Sequence, residues 1–132
     1  MTSPTSRTLA ALRKDGWIAE KVEQRLPIPG RFVTRDMGGF ADGVAWRPDY
    51  GILAWQATSG SNVSSRLNKI AVNEKARDWI LAGGLLQVWG WRKAGDRGAR
   101  KTWQVRVVAL MVEDGRMVEA IPGGLRFDRS GS

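Results

Sequence analysis

Residues 40–62, FADGVAWRPDYGILAWQATSGSN, decide the fold. Pro48-Asp49-Tyr50-Gly51 is turn chemistry, with a proline to preset the backbone and a glycine to release it. ADGVAWR before the turn reads as a strand. GILAWQAT after it is apolar on both faces as far as Gln56, the pattern of a central strand covered on both sides. Side chains alternate along a strand, so Gln56 and Thr58 share one face and Trp55 and Ala57 the other. Pairing of the two strands would bring Asp42 beside Gln56 at one end of the hairpin.

Upstream, residues 1–5 read as a frayed start. SRTLAALRKDG, from Ser6, is a short helix stopped at Asp15-Gly16. WIAEKVEQRLP is a strand closed by Pro27 and Pro29, and RFVTRDMGG is a short strand or loop. Downstream, SGSN supplies turn and capping residues. One long helix is predicted from about Asn62 to the Gly83-Gly84 stop, with Leu67, Ile70, Ala71 and Trp79 on its apolar side. LLQVWGWRK and KTWQVRVVALMV are two further strands joined by AGDRGAR. The order is α-β-β-β-α-β-β, an α/β (α+β) fold with a central mixed sheet flanked by helices. It is read as one domain over residues 1–132, with a core at about 6–112 and a loosely ordered tail at 120–132.

The 132 residues contain no cysteine and no histidine. Structural zinc, thiol catalysis, disulfides and histidine-based triads are therefore excluded. Any catalysis must use carboxylates, amides, hydroxyls, lysine or arginine, with a hard cation that prefers oxygen ligands. The sequence has neither a membrane-spanning run nor a signal-peptide core, so a cytoplasmic setting is the expectation. Twenty-one Lys and Arg against thirteen Asp and Glu give a net charge of +8. That balance favours a polyanionic partner, most often nucleic acid.

Asp42 and Gln56 together offer a carboxylate and an amide oxygen, hard ligands suited to Mg²⁺ or Mn²⁺. Bound there, such an ion would serve phosphodiester cleavage. Basic and polar residues gather around the same region. Arg92 and Lys93 end the WGWRK strand, and Arg97, Arg100 and Lys101 follow in a glycine-rich hairpin suited to phosphates. Ser59, Asn62 and Arg66 surround the start of the long helix, where Ser59 or Asn62 could equally serve as the cap. Trp89 and Trp91 share a strand face and read as core. Glu20, Glu23 and Asp36 compete for a further acidic role, with Asp36 favoured, although Asp36 could instead pair with Arg35 or cap a turn.

Over residues 6–112 the order of elements, with Asp42, then QAT on the next strand, then a helix, resembles the PD-(D/E)XK, restriction-endonuclease-like superfamily. RDMGGFAD, QATSGSN, RLNKI and WGWRK look like motifs of its small phage-associated or bacterial branch. The resemblance implies DNA as partner, a divalent metal, phosphodiester hydrolysis and frequently a homodimer. It places Asp42 and Gln56 at the metal-ligand positions and Thr58 in the slot of the motif lysine. Lys69, in RLNKI on the following helix, would then supply the missing ammonium. Two functions stay open: a metal-dependent DNA endonuclease, and a non-catalytic DNA-binding protein that keeps the nuclease fold.

Overall fold

The computed structural model describes residues 2–22, 24–95, 98 and 100–120. Helix α1 spans Pro4–Lys14. Three short strands follow: β1 (Ile18–Lys21), β2 (Gln24–Ile28) and β3 (Arg31–Arg35). The hairpin of residues 40–62 forms β4 (Gly43–Arg47) and β5 (Gly51–Ser59), leading through a 3-10 turn at Gly60–Asn62 into α2 (Val63–Ala71). Helix α3 (Glu74–Leu81), β6 (Leu85–Ala94), β7 (Thr102–Glu113) and β8 (Arg116–Glu119) complete the order. Six strands form one sheet in the order β1-β4-β5-β6-β7-β8, while β2 and β3 pair separately. Only β5 and β6 run parallel, so the sheet is mixed. The fold is α+β, with helices on both faces of the sheet.

Strand β5 is the covered strand that its sequence predicts, buried continuously from Leu53 to Thr58. Its two faces feed two cores. Leu53, Trp55 and Ala57 pack with Leu12 of α1 and with Trp17, Ala19 and Ala45. Ala54 packs with Val63 and Ile70 of α2, Ala76 of α3, and Leu86 and Val88 of β6. Helix α1 therefore covers one face, and α2 with α3 the other. By alternation Gln56 and Thr58 look towards α2 and α3.

The structure corrects four sequence expectations. Residues 1–5 do not all fray: Ser3 caps α1 by accepting the Ser6 N–H at 3.1 Å, and Pro4 opens the helix. The single long helix is two helices. Asn73 breaks it by capping α3 anew, its Oδ1 accepting the Ala76 N–H at 2.9 Å. The single strand of residues 17–27 is divided into β1 and β2, which join different sheets. Finally, β8 was not expected. Asp114 and Gly115 both take positive φ, 53° and 76°, and turn the chain back onto β7. The observed order is thus α-β-β-β-β-β-α-α-β-β-β. Most of the predicted tail, residues 121–132, lies outside the described residues.

Gly43 opens β4 where Trp55 crosses it. A Cβ there would collide with the Trp55 ring and stand 2.6 Å from the Glu20 carbonyl oxygen. Trp55 is fully buried and the Glu20 carbonyl is strand backbone, so neither can retreat cheaply. Gly43→Ala is expected to lower stability by about 1–3 kcal/mol through overpacking. A urea titration reads this as a fall in midpoint, and an unchanged midpoint would refute the packing argument.

Candidate functional site

The site begins with the tight turn before β4. Met37 and Ala41 form an isolated antiparallel bridge, and the Phe40 N–H donates to the Met37 carbonyl at 3.1 Å. Gly38 and Gly39 take φ of 62° and 78° between them, values that L side chains rarely adopt. Asp36 Oδ1 accepts the Gly39 N–H at 3.0 Å, so the favoured extra carboxylate serves this turn. Glu20 sits on β1 and pairs with Arg13 at 3.3 Å, with both side chains more than half exposed. Glu23 lies outside the described residues.

The turn delivers Asp42 to the end of β5. Asp42 is only 7% exposed and bonds in three directions. Its N–H donates to the Trp55 carbonyl at 2.9 Å, and its carbonyl accepts the Val22 N–H at 2.9 Å. Its Oδ2 accepts the Ala57 N–H at 2.9 Å. Gln56, 3% exposed, donates through Nε2 to the Phe40 carbonyl at 3.2 Å. Its Oε1 is buried and has no hydrogen-bond partner among the described residues. An unmatched buried acceptor is unfavourable by about 1–3 kcal/mol. The β4–β5 ladder closes at Gly43 and Trp55; beyond it Asp42 bonds Trp55 and Ala57, on either side of Gln56, while Gln56 bonds Phe40.

Thr58 lies two residues beyond Gln56 on the same face and is 4% exposed. Lys69 occupies the last turn of α2, exposed to solvent, with no hydrogen-bond or ion-pair partner among the described residues. No group of three or more Asp, Glu, His or Cys residues able to hold a metal exists among the described residues. A metal here would thus rest on Asp42 and Gln56, and the orphaned Gln56 oxygen is the feature that fits one.

Of the basic and polar candidates, Ser59, Arg92 and Lys93 line one groove. Asn62 and Arg66 lie apart from it on the α2 side, Asn62 exposed and Arg66 half-buried. Neither Ser59 nor Asn62 caps through its side chain; Ser59 Oγ instead meets Ser61 Oγ at 3.3 Å. Arg100 is exposed, and Arg97 lies outside the described residues. Trp91 donates to Thr8 Oγ1 at 2.9 Å and Trp89 to Gln87 Oε1 at 3.0 Å, as half-buried residues of the α1 face. Trp103, Arg7 and Ser61 are additions that the sequence did not single out. The signal was the Lys93–Trp103 pairing across the β6–β7 hairpin, which fixes a tryptophan next to a lysine.

No family model, curated protein or solved structure matches this chain. Among the described residues no helix is long and apolar enough to cross a membrane.

Asp42→Ala would leave the Ala57 N–H buried without its acceptor. It is expected to destabilise the fold by about 1–3 kcal/mol. Asp42→Asn keeps a side-chain oxygen for that N–H and should restore most of the difference. Equal unfolding midpoints for the Ala and Asn variants would show that the Ala57 bond contributes nothing.

Proposed function

We propose that this chain is a metal-dependent DNA endonuclease built on a restriction-endonuclease-like domain. The observation that carries the proposal is Gln56 Oε1, a buried acceptor with no partner among the described residues, on the residue between the two in β5 that the buried Asp42 bonds. Asp42 and Gln56 would hold Mg²⁺ or Mn²⁺, ions that accept few protein ligands and keep several waters. The ion would polarise the phosphodiester and make water acidic enough to attack it near neutral pH.

The chain's own groups supply the rest. The Ala57 N–H fixes the Asp42 carboxylate, and the Phe40 carbonyl fixes the Gln56 amide, so both donors are oriented before any ligand arrives. Lys69, exposed and unengaged among the described residues, would bring its ammonium to the attacking water or the phosphate. The net charge of +8 favours association with a polyanion. Cleavage of both strands of a duplex would call for two copies of the chain.

Thr58 favours a second reading. It fills the lysine slot of the resembled motif with a buried hydroxyl. On that reading the chain binds DNA and does not cut it.

Supercoiled plasmid in Mg²⁺ or Mn²⁺ separates the two. Nicking is expected, and Asp42→Asn and Lys69→Ala should each lower its rate about 100-fold or more. Mn²⁺ should also raise the melting temperature of the wild type but not of Asp42→Asn. Binding without cleavage of plasmid, single-stranded or branched DNA in either metal would leave the second reading. Absence of DNA affinity at low salt would remove both.

A further inference from the structure

A shallow groove of about 560 Å³ lies at the end of β5 and β6, reached by Trp91 and Lys93 from the α1 side and by Arg92 from beside Gly60. Ser59, Ser61, Arg92, Lys93, Trp91 and Trp103 line it. Ser59 stands on the α1 side because Ala57, two residues earlier, packs with Leu12 and Trp17. Helix α1 begins at Pro4, and its first turns reach the groove. Thr8 reaches Trp91, and Arg7 lies over Trp103.

Trp103 is the unusual member. It stands on a strand face yet remains 41% exposed. The Arg7 guanidinium carbon lies 3.8 Å from its ring centroid, and Lys93 Nζ lies 5.8 Å from it. Arg7 Nε is covered from solvent and has no acceptor among the described residues. The guanidinium is stacked over one face of the indole by cation–π attraction, and the ring keeps the rest of its exposed surface towards the groove. At the other side of the groove two serine hydroxyls meet at 3.3 Å, free of any helix-capping duty. Aromatic surface, cations and hydroxyls in one concave strip are the parts that hold a nucleic-acid strand by its bases and phosphates together.

We infer that this groove binds unpaired DNA, with a base packed on the Trp103 surface that Arg7 leaves exposed and the adjoining phosphates on Arg92, Lys93 and the Ser59–Ser61 hydroxyls. A duplex offers its phosphates to such a groove but keeps its base faces inside the stack. Only an unpaired strand can use the indole. The inference rests on the proposal that the chain acts on DNA, and it names the form of DNA held.

The test is fluorescence anisotropy in EDTA, so that cleavage plays no part, with an oligo(dT) of about 15 nucleotides and a blunt duplex of similar length. The wild type should prefer the single strand by about tenfold. Trp103→Ala should weaken single-strand binding about tenfold or more, while Trp103→Phe, which keeps an aromatic face, should retain most of it. Lys93→Ala should make the salt dependence of single-strand binding shallower by about 0.7 in slope. Unchanged far-UV circular dichroism and melting temperature confirm that each variant is folded. A matching oligo(rU) separates DNA from RNA: weaker or equal binding is expected, and preference for oligo(rU) overturns the assignment to DNA. Wild-type affinity for oligo(dT) in folded Trp103→Ala, or equal affinity for duplex, overturns the inference. Selective single-strand binding that depends on Trp103, without cleavage in Mg²⁺ or Mn²⁺, leaves the groove standing and removes only the catalytic proposal.

Discussion

The bond from the Ala57 N–H to the Asp42 carboxylate, 2.9 Å long, is the constraint on which the centre of this molecule depends. β4 begins at Gly43 and pairs with β5 only as far as Trp55. Beyond that point β5 remains buried, and the amide of Ala57 needs an acceptor that the β4 backbone does not supply. The side chain of Asp42 extends the ladder in its place. Because the same residue also bonds Trp55 and Val22 through its main chain, one aspartate ties together β5, the start of β4 and the segment leaving β1. Gly43 follows because Trp55 must cross immediately next to this junction.

The parts of the fold that were legible are those whose signal is local. The hairpin could be read because Pro48-Asp49-Tyr50-Gly51 is unmistakable turn chemistry and because residues 52–55 leave no polar face. The split of the long helix was missed because Val72 and Asn73 sit inside an otherwise helical run. Asn73 reads as an interior polar residue until its side chain is seen on the Ala76 N–H. Its amide also reaches the Gly38 carbonyl at 3.0 Å, a contact across 35 positions that no periodicity reveals. β8 has a local signal in Asp114-Gly115, whose positive φ values turn the chain back, but the short RMVE run after it carries little strand pattern of its own.

The candidate site divides in the same way. The β4–β5 pairing carries Asp42 to Trp55 and Ala57, on either side of Gln56, and the hairpin pattern alone can anticipate that placement. The Gln56 amide held by the Phe40 carbonyl required the tight turn at Gly38-Gly39, and that geometry is set by backbone dihedrals. Trp103 was passed over as one more strand tryptophan. Its surroundings come from Arg7, far away in sequence, and from register with Lys93 across the hairpin. A residue's partners across the sheet determine whether an aromatic ring is core or surface, and single-sequence pattern carries little of that information.

One step along β5 reverses the face, and this separates the two surfaces proposed here. Gln56 and Thr58 look towards α2 and α3, whereas Ser59 looks towards the α1 side and the groove. A DNA strand held by Ser59, Lys93 and Trp103 would therefore lie around the end of β5 from the Asp42–Gln56 pair. The 3-10 turn at Gly60–Asn62 follows directly on that end of β5. Under the proposed function, grip and chemistry would be coupled through that strand end, which the Asp42–Ala57 bond holds in place. Loss of the Asp42 carboxylate then removes a metal ligand and loosens the strand that carries Ser59. Asp42→Asn, which keeps the Ala57 bond while removing the charge, is consequently the variant that separates the two roles.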